Sequence, residues 1–264
     1  MKRSDHLCIL ISDHLNRIAA MRLRALDLAD PEGLHDLRVA LRGLRACLPL
    51  LDNKGNLPQL RRDWQSLARA TGPARDLEVL LALLDRQPAP PAGLREKLEK
   101  EQRSARQRLT QQLCNIQLPH LLQSSRSELN AALERTRPRE LRRRITHRSS
   151  KLLVKIKQRI ANLSPSDPPQ NWHQLRLDIK RLRYLIELCG EWLPERYQHI
   201  HSELKRCQGL LGDLHDLDIL AGLVKTPMIA EREMLQQAAW QTINSLASTL
   251  NHRRAFVQKR AIGQ

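Results

Sequence analysis

One pattern occurs twice in this chain, in the same order and at nearly the same spacing. Residues 35–45 read H-D-L-R-V-A-L-R-G-L-R and residues 173–183 read H-Q-L-R-L-D-I-K-R-L-R, an agreement in residue type at eight of eleven positions with an offset of 138. A second pair of blocks follows: T-G-P-A-R-D-L-E-V-L at 71–80 and L-G-D-L-H-D-L-D-I-L at 211–220, now offset by 140. Repeated blocks of this kind mean a duplicated structural unit. The chain therefore reads as two copies, 1–136 and 137–264.

Pro, Gly and Asn cluster at 52–58, 87–93, 136–138, 164–171 and 225–227, where helices must stop. These breaks cut copy one into helices over about 4–29, 33–51, 58–86 and 92–134, the last interrupted near Pro119. Copy two is cut over about 138–163, 171–190, 194–224 and 228–261. Composition agrees, with 50 Leu against 4 Trp, 2 Tyr and 1 Phe, so the chain is rich in helix formers and poor in the residues strands prefer. The expectation is an all-α protein of two four-helix bundles related by a pseudo-two-fold axis. That internal symmetry favours a monomer.

The repeated block places its charges unusually. At about 100° per residue, His35, Arg38, Arg42 and Arg45 form one stripe, and Leu34, Leu37, Leu41, Leu44 and Leu48 form the stripe beside it. His173, Arg176, Lys180 and Arg183 repeat this beside Leu175, Ile179, Leu182 and Ile186. A solvated charged face lies opposite the apolar one. Charges on its shoulder point into a seam, where like-signed groups repel unless an anion sits between them. The structural reading is that these cations snorkel over the core edge and pair with Asp36, Asp76, Asp178 or Asp216. Their recurrence in both copies favours an anion site.

A third stripe, Arg144, Arg148, Lys151 and Lys155, runs beside Ile145, Leu152, Ile156 and Ile160, in a segment 137–159 with ten Lys+Arg and one acid, Glu140. It reads as a wall of the same site or as a plain basic surface. Arg106, with Arg95 and Arg103, is a weaker candidate, and Arg75 has His215 as its counterpart. Asp76 and Asp216 read as structural.

The net charge of +17 concentrates polyanions. Seven aromatics in 264 residues cannot build a stacking platform for bases. A reader of phosphate backbone fits better. No apolar run reaches a membrane span, the longest being the six residues 79–84, and the basic start is not followed by a secretory apolar region. Five cysteines, odd in number and never spaced C-x-x-C, read as reduced core thiols of a cytoplasmic, soluble protein.

On the blocks H-x-x-R-V-x-x-R-x-x-R at 35–45, H-x-x-R-x-x-x-K-R-L-R-Y at 173–184, G-x-x-R-D-x-E-V at 72–79 and G-x-x-H-D-x-D-I at 212–219, the chain resembles the CHAD domain family, named for a conserved histidine α-helical domain. The resemblance covers essentially the whole chain. It implies two four-helix bundles whose basic helices line a central channel or groove for inorganic polyphosphate. It also implies targeting to polyphosphate granules, and frequent fusion to a CYTH triphosphate tunnel domain, whose E-x-E-x-K strand is absent here. Carried over residue by residue, it assigns phosphate binding to His35, Arg38, Arg42, Arg45, His173, Arg176, Lys180 and Arg183. Two departures stand out: copy one has Gly43 where copy two has Arg181, and His215 stands where copy one has Arg75, so one half of the site is expected to bind more weakly.

Polyphosphate carries about one charge per unit and no bases, so rows of Arg, Lys and protonated His suit it. An anion neighbour raises the pKa of His35 and His173, so binding is expected to weaken as they lose protons. Two other classes compete. A backbone-reading nucleic-acid or acidic-partner binder would use the same groove. A metal-dependent phosphohydrolase would need further ligands around His35-Asp36 and His215-Asp216, which fall at non-equivalent places in the repeat. His199-x-His201 reads as two exposed helix residues, and no nucleotide loop or nucleophile elbow is present. A binding protein without cofactor or metal is expected, not an enzyme.

Overall fold

In the computed structural model, residues 3–27, 29–30, 32–52, 55–87, 91–224 and 229–261 are described, with side-chain environments from Leu7 to Asn251. The described residues form helices and the turns between them, with no strand. Ten α-helices run in order: α1 (Arg3–Leu26), α2 (Gly33–Leu51), α3 (Pro58–Ala70), α4 (Gly72–Leu84), α5 (Leu94–Asn115), α6 (Leu118–Glu134), α7 (Pro138–Asn162), α8 (Pro169–Cys189), α9 (Arg196–Val224) and α10 (Ile229–Ala261). A 3₁₀ turn, Gly190–Trp192, follows α8. The chain divides into two compact units, Met1–Arg144 and Ile145–Gln264. The expected break at 225–227 lies outside the described residues.

In the first unit, α1 buries Leu7, Ile11, Leu15 and Ile18, a stripe at helical spacing. That stripe packs along α2 and α6. From α2 come Leu34, Leu37, Leu41, Leu44 and Leu48, all buried. Gly33 is where the α1–α2 turn closes, because a Cβ there would stand 2.3 Å from the Arg24 carbonyl oxygen. Gly43 is a second close approach: a Cβ would stand 2.2 Å from the His14 ring. Buried Asp52 closes the α2–α3 turn by accepting from the Leu57 amide at 3.2 Å and Arg61 Nη1 at 3.1 Å. Trp64 of α3, fully buried, donates through Nε1 to Ser125 Oγ of α6 at 2.9 Å.

The second unit packs α9 against both α8 and α10. Trp172, Leu175, Ile179, Leu182 and Ile186 form the buried face of α8, and Tyr197, Ile200, Leu204, Cys207, Leu211 and Leu214 that of α9. Trp172 meets Trp240 of α10 with ring centroids 6.2 Å apart.

Helices expected over 58–86 and 92–134 are each two helices. The second breaks at Ile116–Gln117, beside the suspected Pro119. The first breaks at Thr71, because Pro73 has no amide to give the Arg69 carbonyl and its ring crowds that turn. The equivalent position in the second copy is Asp213, and there α9 runs unbroken from 196 to 224.

Candidate functional site

Each unit builds the same local arrangement. The cation row of one helix is laid against the turn or helix that carries its G-x-x-[RH]-D block. In the first unit the row is on α2. His35, Arg38 and Arg42 are half-buried and Arg45 is more exposed, as expected of positions on the shoulder of the leucine face. Arg38 Nη1 donates to Thr71 Oγ1 at 3.1 Å, and its Nη2 lies 3.9 Å from Asp76. Burial, with Arg42 and Arg75 as neighbours, pulls the Arg38 guanidinium below its ordinary value despite Asp76. Arg45 is lowered too, by burial and by the charge of Arg69 on α3. An arginine remains protonated under such strain. Cations crowded closely enough to disfavour their own charge form a site that an anion relieves.

The second unit repeats the ladder on α8 and α9. Arg183 Nε donates to Gln208 Oε1 at 2.8 Å, its Nη1 pairs with Glu187, and its guanidinium lies over the Tyr184 ring at 4.3 Å. Arg176 lies over Gly212, as Arg38 lies over Gly72. At the end of the row, His173 Nδ1 and His215 Nδ1 are 3.2 Å apart. Such a bond needs one protonated and one bare nitrogen, so both rings cannot be imidazolium while it holds. Burial, with His215, Arg176 and Lys180 nearby, lowers the His173 pKa from its ordinary 6.5. The neighbours that the chain itself gives His173 are thus cations, which act in the opposite direction to an anion.

Several candidates have protein partners. Arg106 Nη2 meets Glu78 at 2.5 Å and its Nη1 donates to the Ala25 carbonyl, while Arg75 binds the other oxygen of Glu78 at 3.1 Å. These two arginines share a nearly buried carboxylate. Arg144 pairs with Glu140 and donates to the Leu50 carbonyl at 3.3 Å. It belongs to the first unit, whereas Arg148, Lys151 and Lys155 fall in the second. Arg148 and Lys151 are exposed on α7.

Lys155 is bound at 3.2 Å to Asp178, a fully buried carboxylate that also accepts from Arg159 Nε at 2.7 Å and Arg181 Nη1 at 3.0 Å. The two ends of the 144–155 stripe thus pair with different acids, Glu140 and Asp178. Arg181 and Gly43 also differ in role: Arg181 neutralises Asp178, and Gly43 makes room for His14.

Sequence reasoning missed three contributors. Arg69 faces Arg45. Arg232 of α10 binds Asp218 at 2.7 Å, in the second unit, as Arg106 binds Glu78 in the first. The third is Arg159, which joins Lys155 and Arg181 on buried Asp178, an acid the sequence did offer as a pairing partner. The equivalence of Glu78 and Asp218 in the aligned blocks was a signal for the second. Of the suspected metal pairs, Asp36 is taken by Arg24 at 2.6 Å. His201 lies 3.0 Å from Glu187 and His199 lies 3.5 Å from Glu195. Among the described residues searched, no group of three or more His, Cys, Asp or Glu is placed to hold a metal ion, and no helix is long and apolar enough to cross a membrane.

Comparison with known proteins adds three findings. A crystal structure of the CHAD domain from the plant Ricinus communis superposes with a TM-score of 0.71 at 23% identity, covering 94% of this chain and 91% of that one. No curated protein matches the sequence. The family model for the CHAD domain matches residues 9–225, which takes in both histidine–arginine helices and both glycine blocks. The chain belongs to the CHAD domain family.

Proposed function

We propose that this protein binds inorganic polyphosphate through the cation rows of α2 and α8, by recognition and not by catalysis. It would act as a monomer, in the cytoplasm and at polyphosphate granules. The observation that carries the reading is that the same ladder is built twice: a buried-shoulder arginine over a glycine, Arg38 on Gly72 and Arg176 on Gly212, with a further cation one to two turns along at Arg42 and Arg45 or Lys180 and Arg183. Duplicated helices keep their core positions for packing. Packing gives no reason to keep two rows of like charge at the same shoulder.

The chemistry supports a flexible chain of phosphates. The rows are spaced along helices at roughly 5 Å per turn, and guanidinium forks take two oxygens of one oxyanion. The few aromatics leave bases without a stack.

The test is binding of long-chain polyphosphate to the native chain and to the Arg38→Ala, Arg176→Ala double variant, with RNA of matched charge as competitor. Both chains are checked by circular dichroism for equal helix content. Tight binding that survives excess RNA and collapses in the double variant supports the proposal. Equal competition by RNA points to a general backbone binder, and an unaffected double variant removes the rows from the site.

A further inference from the structure

The arginine that ends each cation row is met differently in the two units. On α8, the Arg183 side chain is only 11% exposed and the chain itself supplies its oxygens: Glu187 takes Nη1, and Gln208 Oε1 accepts from Nε at 2.8 Å. Its counterpart on α2, Arg45, is exposed. At the offset of 138 Glu187 corresponds to Pro49, and at the offset of 140 Gln208 corresponds to Ala68. Neither Pro49 nor Ala68 has a side-chain oxygen to offer. The next residue differs as well: Gly209, where a Cβ would meet nothing within 4 Å, corresponds to Arg69. The first unit thus lacks both acceptors and carries a second cation at that place.

Helix α3 packs on α2, and the bond from Arg38 Nη1 to Thr71 Oγ1 at 3.1 Å fastens the end of α3 beside the row. Arg69 lies in the last turn of α3, two residues before Thr71, and its charge acts on Arg45. Both arginines are exposed, and among the described residues neither is bonded to a carboxylate. Like charges held together in this way repel. Arg183 shows what settles an arginine at this place: an oxyanion, there provided from within. We infer that Arg45 and Arg69 form a clamp for one phosphate group at the end of the first row, which makes Arg69 a binding residue that the repeated blocks do not contain. Each guanidinium offers its own pair of N–H donors, and a phosphate has oxygens for both. In the second unit Glu187 and Gln208 fill the corresponding place, so Arg183 gives the ligand less than Arg45 does.

The inference rests on the phosphate-binding reading and is tested with Arg69→Ala, Arg45→Ala and the two together. Arg62→Ala is the control, because Arg62 is an exposed arginine of the same helix that donates only to Gln59, at 2.8 Å. Melting and polyphosphate affinity are measured on all four variants. Arg69→Ala is expected to melt within about 2 °C of the parent, as an exposed side chain without a bonded partner should. It is expected to bind polyphosphate about tenfold more weakly, one charge-assisted contact being lost. Arg62→Ala removes the same charge from α3 and is expected to cost much less. Two arginines on one phosphate are coupled, so the combined variant should lose less than the product of the two single losses.

If Arg69→Ala binds like the parent, or loses no more than Arg62→Ala, the clamp is overturned and Arg69 belongs to a diffuse basic surface. Fully multiplicative losses overturn it too, since the two arginines then act on separate groups. Melting well below the parent makes Arg69 a structural residue. If the parent itself does not bind polyphosphate, the functional reading fails and the clamp falls with it, an outcome visible in the parent alone.

Discussion

Neutralising Asp178 separates the structural cations from the ligand-binding ones. Its carboxylate has no exposed surface and takes three partners: Lys155 at 3.2 Å, Arg159 at 2.7 Å and Arg181 at 3.0 Å. The three side chains are 45%, 32% and 57% exposed, so each can return to water when the carboxylate is lost. Breaking a fully buried pair costs about 3–5 kcal/mol because a charge is left stranded, whereas an exposed pair is worth about 1 kcal/mol or less.

Three half-exposed partners on one buried acceptor fall between those limits. The isosteric Asp178→Asn change also keeps one acceptor oxygen. A loss of about 2 kcal/mol follows, or about 4–8 °C in Tm for a chain of this size. Differential scanning calorimetry reads that loss, and a polyphosphate titration reads the effect on binding. Polyphosphate affinity should hold or rise, because the substitution releases Lys155 and removes a negative charge. Unchanged melting would mean that the three contacts contribute nothing. A drop in affinity larger than the drop in stability would mean that Lys155 reaches the ligand only when Asp178 holds it.

Two further predictions concern protons and thiols. The His173 pKa is held below 6.5 in the free chain by burial and cationic neighbours. That contribution to stability is therefore present above pH 6.5 and lost as pH falls through the depressed value, whereas a bound polyanion favours the protonated ring. Affinity for polyphosphate should rise from pH 8 to pH 6 while the melting temperature of the free protein falls, and His173→Gln should flatten both; isothermal titration and melting curves across that range decide it. Burial pushes the Cys189 and Cys207 thiols up to about 12, while Cys114 is exposed. A thiol reagent at pH 8 should label Cys114 quickly and leave Cys189 and Cys207 unlabelled until the protein is unfolded.

What the sequence made legible was whatever follows from periodicity along one helix. The stripes on α2 and α8 lie beside the leucine faces, as their spacing requires, and the leucines are buried. What it hid was set by pairs far apart in the chain. Arg106 looked like a spare cation because Glu78, 28 residues upstream, is its partner only once α5 packs on α4. The 144–155 stripe looked continuous, yet its two ends find unrelated acids, Glu140 and Asp178.

The break at Thr71 was readable from Pro73 and was overridden by the apolar pattern running through it. Gly43 and Arg181 occupy equivalent places in the repeat, but one is fixed by the His14 ring and the other by a buried carboxylate. Neither neighbour shows in the block itself. Three of the five cysteines are buried as their apolar surroundings suggest, whereas Cys8 is half-buried and Cys114 of α5 is exposed.

The central claim is that the rows on α2 and α8 hold the polyanion by direct neutralisation of phosphates. The most direct measurement is polyphosphate affinity across a salt series for the native chain, Arg38→Ala, Arg176→Ala and the double variant. Counterion release makes the logarithm of affinity fall linearly with the logarithm of salt, by about 0.7–0.9 per phosphate neutralised. The account predicts a slope smaller by about that amount for each arginine removed, additively in the double variant. Parallel lines for all four chains would contradict it.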